Sequence, residues 1–136
     1  MQETFGFKIF SVDGQRFLVL LPSDMEQASP LGSDETATFK SSRGLRTTQF
    51  IQFSTLDSLA VDQYPYSVTL TGGAILRYKI VISEDTGSGG PEADLIGVLD
   101  FGTDQISVQC HDQDERKPQP RWCISSLHHI RMLDPS

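Results

Sequence analysis

The chain has 136 residues and a formal charge of −7 at pH 7, from 18 acidic and 11 basic residues. Its length fits one domain, and a hydrophobic content of 38% argues against a chain that is disordered throughout. Basic residues are too few to follow the phosphate backbone of a nucleic acid. No apolar run approaches the roughly 20 residues of a membrane span. The first residues do not resemble a secretory signal peptide. We therefore expect a single cytoplasmic domain over 1–136, with no general nucleic-acid binding and no membrane segment.

Residues 4–22 carry the clearest local signal, that of a β-hairpin. Asp13 and Gly14 lie between two apolar runs, and this pair favours a two-residue type I′ turn because both positions need positive φ. Phe5, Phe7 and Ile9 share one face of the first strand. The second strand, 17–21, is apolar on both faces, so we expect it inside a sheet or under a cap.

Residues 23–65 predict loops, two strands and two short helices. Ser23 and Glu26 form a capping-box pattern that predicts one helical turn, and Ser54 and Asp57 repeat it before a helix of about two turns. Two strands lie between these signals, on either side of the turn at 42–44. We expect one or both of these strands at a sheet edge.

Residues 66–133 predict a meander of strands over 66–72, 74–85, 94–102 and 104–111, each bounded by Gly, Pro or Asp. Apolar residues alternate in the first, second and fourth of these stretches, as a strand with one buried face requires. The segment 121–133 then predicts a strand, a single 3₁₀ turn and a final strand. This ending, after a long bent strand, is similar in pattern to SH3-like and Sm-like small barrels. The predicted fold is therefore mainly β, a small barrel or sandwich of eight or nine antiparallel strands with one or two short helices.

The two cysteines are predicted to be free thiols. If 121–125 is a strand beside 105–110, Trp122 and Ile124 share the core face with Cys110, and Cys123 points outward. A Cys110–Cys123 disulfide needs the opposite register, which sends Trp122 and Ile124 to solvent. Burial of those two side chains, at roughly 1.5–3 kcal/mol each, outweighs a disulfide that a reducing compartment removes.

A metal site or catalytic centre is not predicted. His111, Cys123, His128 and His129 lie close in sequence and leave a metal site as an alternative, but they lack the spacing of established zinc sites. The chain also lacks the G-x-S-x-G motif of a serine nucleophile elbow and the Lys-Ser/Thr pair of a phosphate-binding loop. We expect no cofactor and no enzymatic activity.

One basic cluster without acidic neighbours provides a second alternative. Lys40, Arg43 and Arg46 surround a glycine turn, where two arginines can hold a small anion or a nucleotide phosphate. The alternative function is thus a ligand-binding β-barrel. Phosphorylated metabolites should then raise the melting temperature of the chain, and Arg43→Ala with Arg46→Ala should abolish this shift. That result would distinguish ligand binding from protein binding.

The polar loop 112–120, followed by the single tryptophan, is the predicted partner-contact region. Its contact residues are Asp112, Asp114, Glu115, Arg116, Lys117 and Trp122. Together with the negative charge, this loop predicts a non-enzymatic protein-binding module of the inhibitor, immunity, anti-defence or assembly-adaptor type. It would act by covering a basic surface of a protein partner.

Overall fold

Two antiparallel β-sheets face each other across one hydrophobic core. The computed structural model describes residues 5–23, 25–27, 36–43, 47–55, 64–83, 92–113 and 121–133. Within these ranges the strands are β1 (Phe5–Val12), β2 (Gln15–Pro22), β3 (Glu26–Gln27), β4 (Thr36–Arg43), β5 (Thr47–Thr55), β6 (Tyr66–Thr69), β7 (Ile75–Ser83), β8 (Glu92–Asp100), β9 (Gln105–Gln113) and β10 (Arg131–Met132), and the helix is α1 (Arg121–Leu127).

The predicted fold class, a mainly β sandwich or barrel, is confirmed. One sheet has the strand order β1-β2-β10 and the other the order β3-β4-β5-β9-β8-β7-β6. The described residues form ten strands rather than eight or nine. Of the two shortest, with two residues each, β10 is the predicted final strand and β3 was not predicted.

The N-terminal hairpin has the predicted turn. Asp13 and Gly14 have φ angles of 51° and 82°, and Val12 pairs with Gln15. Strand β2 lies between β1 and β10, and its inward side chains, Phe17 among them, are fully buried. This position confirms the prediction that the strand lies inside a sheet, and Leu18 and Leu20 on its other face are half-buried.

Phenylalanine side chains join the two sheets. Phe10 of β1 stacks on Phe53 of β5 with ring centroids 4.1 Å apart, and on Phe17 of β2 at 5.2 Å. Phe39 of β4 meets Phe10 edge-on at 6.1 Å. Four aromatic rings from four strands therefore form the centre of the core, where aromatic pairs contribute beyond their buried area.

The predicted meander is confirmed from β6 to β9, since each of these strands pairs with the next. The expectation of a sheet edge is wrong for β5, whereas β4 lies next to the edge strand β3, which has only two residues. Strand β5 pairs with both β4 and β9, and β3 covers part of the other side of β4. Alternation alone could not show this, because β9 lies far along the chain from β5.

The first predicted helical turn is absent. Met25 N–H donates to the Pro22 carbonyl across a turn, and Glu26 and Gln27 then form β3. In the second capping pattern, Ser54 and Thr55 belong to β5, so a strand occupies the predicted helix start. The rest of that predicted helix, 56–61, lies outside the described residues.

The C-terminal segment is a helix where a strand was predicted. In α1 and the turn after it, Cys123, Ser126, Leu127 and Ile130 are fully buried, a spacing of i, i+3, i+4 and i+7. Trp122 and Ile124 are half-buried on either side and still pack against the core. The helix thus buries these side chains without a strand register.

The prediction of free thiols is wrong for the same reason. Cys123 points from α1 towards β9 and forms a disulfide with Cys110, with the two Cα atoms 6.2 Å apart. Both cysteines are fully buried. The choice between burying Trp122 and Ile124 and forming the disulfide applies only to a strand. A helix permits both.

Candidate partner-binding surface

The outer face of the seven-stranded sheet, the side turned away from the core, carries a row of side chains that crosses six strands. Neighbouring residues of a strand point to opposite faces, so burial of Ile51, Leu95 and Cys110 turns the residues beside them outward. The pairing register then aligns Glu26, Lys40, Phe50, His111, Asp94 and Val81, which we name the central row.

His111 is held in place at the middle of the central row. Its ring stacks on Phe50 with centroids 4.9 Å apart and an angle of 13° between the planes. Its Nδ1 lies 2.9 Å from Asp94 Oδ1, and its Nε2 lies 4.0 Å from Glu92 Oε1. Because a carboxylate only accepts hydrogen bonds, Nδ1 carries the proton that it shares with Asp94. Two carboxylates and one aromatic ring therefore fix the imidazole.

Amide side chains extend this polar network beside the central row. Gln109 Nε2 donates to Asp94 Oδ1 at 3.4 Å, and Thr38 Oγ1 donates to Gln52 Oε1 at 3.4 Å. These groups offer hydrogen bonds and negative charge, which suit recognition of another molecule. Among the described residues, no group of three or more His, Cys, Asp or Glu side chains could hold a metal ion.

A second charged pair lies where β8 ends. Arg77 Nη1 is 3.2 Å from Asp100 Oδ2, and the Gly102 N–H donates to Asp100 Oδ1 at 2.8 Å. The Gly102 N–H, and after it the Arg77 guanidinium, hold the pKa of Asp100 below its ordinary value. Asp100 is thus an ionised carboxylate that fixes the turn between β8 and β9.

Comparison with known families decides the class of protein. Residues 25–131 match the model of the type six secretion immunity 3 (Tsi3) domain. The chain belongs to the Tsi3 family. The match spans well over half of the chain and includes the whole central row, α1 and the disulfide. The name of this family, a type six secretion immunity domain, fits the immunity type of the sequence-based prediction.

The Tsi3 match leaves out the β1–β2 hairpin, although that hairpin completes the core. No curated protein matches the chain. A crystal structure of a protein from Bacteroides thetaiotaomicron VPI-5482, solved at 1.50 Å, is similar with a TM-score of 0.56 and 9% identity. The similarity covers 87% of this chain and 45% of that one, so this chain spans less than half of the other protein, and the likeness concerns the fold alone.

The structure describes two of the six predicted partner-contact residues, Asp112 and Trp122. Asp112 is 5% exposed on the inward side of β9, where its Oδ1 accepts from Gln49 Nε2 at 3.2 Å. Trp122 is half-buried in α1 and packs against the core. The residues 114–117 lie outside the described part of the chain, and their contact role stays a prediction.

The predicted anion cluster is described only in part. Lys40 is exposed and belongs to the central row, beside Phe50. Arg43 ends β4, and Arg46 lies outside the described residues. The alternative function at this cluster stays a prediction.

The residues of the alternative metal site do not come together. His111 faces Asp94, whereas Cys123 is on the inward side in its disulfide. His128 Nδ1 lies 3.3 Å from the Thr71 nitrogen, at the turn before β7, and His129 is exposed. The prediction that Cys123 points outward is wrong, because Cys123 is in a helix and is fully buried.

Sequence reasoning missed most of the central row. His111 was singled out only as a metal ligand, and Lys40 only as part of a basic turn. Phe50, Asp94 and Val81 were not singled out as site residues. Alternation in each strand shows which residues point outward, but only the pairing of β5 with β9 aligns Phe50 with His111.

No helix within the described residues is long and apolar enough to cross a membrane.

Proposed function

We propose that this chain inactivates a type six secretion toxin by binding it in a stoichiometric complex that covers the toxin's active site. The Tsi3 match over residues 25–131 is the observation that carries the proposal. On this proposal the chain is non-enzymatic and needs no cofactor. Protection comes from occupying a surface that the toxin needs for its own substrate.

The charge of the chain supports a toxin with a basic surface. A formal charge of −7 on 136 residues attracts a positively charged partner and speeds up encounter at low ionic strength. On the outer face, Glu92 and Asp94 contribute carboxylates, and Asp94 lies opposite Val81, an exposed apolar side chain of β7 on the same face. Opposite charges then steer the toxin, while apolar contacts hold it.

The test uses purified type six secretion toxins from the organism that carries this chain. Titration of toxin activity with purified chain should reach full inhibition at one equivalent, and excess toxin substrate should compete with the chain. The association rate should fall as NaCl rises from about 0.02 to about 0.5 M, because salt screens the steering charges.

Two outcomes contradict the proposal. The absence of a complex with the toxin would remove the immunity function. Inactivation of many equivalents of toxin by one equivalent of chain would instead indicate an enzyme. An association rate that does not depend on salt would leave the complex intact and remove the electrostatic part of the mechanism.

A further inference from the structure

The outer edge of β7 has no partner strand beyond Tyr78 among the residues that the structure describes. Strand β6 pairs with β7 from Thr69↔Ile75 to Tyr66↔Tyr78 and stops there. The residue before β6 is Pro65, which has no N–H to continue the ladder. Within the described residues, the backbone of Lys79–Ser83 therefore pairs with β8 on one side and with no strand on the other.

Three consecutive apolar side chains are exposed along this edge. Ile80 and Val81 are each 41% exposed, and Ile82 is 61% exposed. Because they alternate in direction, the edge presents apolar surface on both faces of the sheet. An open strand edge with exposed apolar side chains is the surface to which an extended segment of another protein adds as a strand.

Carboxylates on the neighbouring strand define the charge of this surface. Asp94 is opposite Val81 in the register, and Glu92 is opposite Ser83. The side chains of Glu92 and Asp94 are 30% and 20% exposed. Val81 also ends the central row, so the open edge is continuous with the outer face. A segment that carries Lys or Arg beside apolar residues complements this surface.

We propose that the toxin adds an extended, basic and apolar segment to β7 along Lys79–Ser83, as one more strand of the seven-stranded sheet. This inference rests on the proposed immunity function. Main-chain hydrogen bonds to the open edge would bind the segment, Ile80, Val81 and Ile82 would contact its apolar side chains, and Glu92 with Asp94 would select its positive charge.

The edge of β1 provides a matched comparison. Strand β1 is at the edge of its sheet, and its Phe7 is 61% exposed, as Ile82 is. It differs in two respects that bear on the toxin. It lies outside the Tsi3 match, and the exposed charged residues on its sheet include Arg16 and Arg131. A basic segment should therefore avoid β1.

The experiment measures toxin affinity for the wild-type chain, for Ile80→Lys/Ile82→Lys and for Phe7→Lys. The first variant should weaken binding by about tenfold or more, because it removes two apolar contacts and repels a basic segment. Phe7→Lys, at the same exposure, should bind as the wild type does. Circular dichroism at 25 °C confirms that each variant is folded.

Hydrogen exchange of the wild-type complex keeps the test valid even if a variant fails to fold. Amides of 79–83 should gain protection when the toxin binds, and those of β1 should not. Unchanged affinity of a folded Ile80→Lys/Ile82→Lys variant, or protection of β1 alone, would overturn the strand-addition proposal while the immunity function stands. Protection of 79–83 in the chain alone, rising with its concentration, would assign the edge to a second copy and also overturn it. If the toxin fails to bind the wild type, the proposed function itself is wrong.

Discussion

Gly97 shows how one residue fixes the packing of two strands. It is buried in β8 opposite Tyr78, and a Cβ added there would overlap the backbone oxygen of Arg77 and press on the Tyr78 side chain. A backbone atom in a sheet cannot move aside without disturbing the ladder. Gly97→Ala should therefore destabilise the fold by about 1–3 kcal/mol, as overpacking does, measured by urea unfolding.

Gly6 is the matched control for this substitution. It is also a strand glycine, but the nearest atom to an added Cβ is Ser23 Cβ at 3.9 Å, an ordinary contact distance. Gly6→Ala should change the free energy of unfolding by no more than about 0.5 kcal/mol. Equal effects of the two substitutions would show that the approach of Arg77 to Gly97 is not close enough to require glycine.

Asp100 makes the free energy of unfolding depend on pH in the acidic range. Its pKa in the folded chain lies below the ordinary value of 3.8, because the Gly102 N–H and the Arg77 guanidinium favour the carboxylate. Its contribution is thus present above about pH 4 and is lost as the pH falls through the lowered pKa. Asp100→Asn should cost about 1 kcal/mol at pH 7, and its difference from the wild type should shrink below pH 4.

Thermal unfolding between pH 7 and pH 2.5 checks this behaviour. Asp104→Asn, which removes an exposed carboxylate from the same turn, corrects for the change in net charge. A cost of Asp100→Asn that stays constant down to the lowest pH would show that the carboxylate is not stabilised by its ionisation.

At the scale of elements, local patterns predicted the strands well and the last helix not at all. Asp13 and Gly14 determine their own turn, and alternation within β7 or β9 needs no distant partner. In 121–130, apolar residues occur both at a spacing of two and at i, i+4 and i+7. The helix is favoured because it buries Cys123 and Leu127 while Trp122 still packs at its side.

The central row was beyond prediction for a different reason. Its alignment depends on β9 pairing with β5 and β8, strands that come from separate parts of the chain. A shift of one residue in either pairing would separate Phe50 or Asp94 from His111. Local sequence carries no information on that register, since it follows from packing of the whole core.

At the scale of the whole molecule, the disulfide is not what is expected of a protein in the cytoplasm, where thiols are usually kept reduced. The location of the chain in the cytoplasm stays a prediction. A Cys110–Cys123 disulfide persists in oxidising compartments and is reduced in most cytosols. The redox state of these two cysteines in cells therefore bears on where the chain works.

The disulfide should stabilise the whole domain, because it ties α1 to the middle of the larger sheet. It joins residues 13 positions apart, which corresponds to about 3 kcal/mol and about 10 °C in Tm. Wild-type protein should lose this much in dithiothreitol, whereas Cys110→Ala/Cys123→Ala should be less stable from the start and insensitive to reductant. Both cysteines are fully buried in the folded chain, so alkylation of cells is done under denaturing conditions, which expose any free thiol to the reagent. Cysteines that are blocked only after reduction would place the chain in an oxidising compartment and contradict the cytoplasmic prediction. Cysteines that are blocked at once would show that the thiols are free in the cell, and the domain would then have to hold α1 by packing alone.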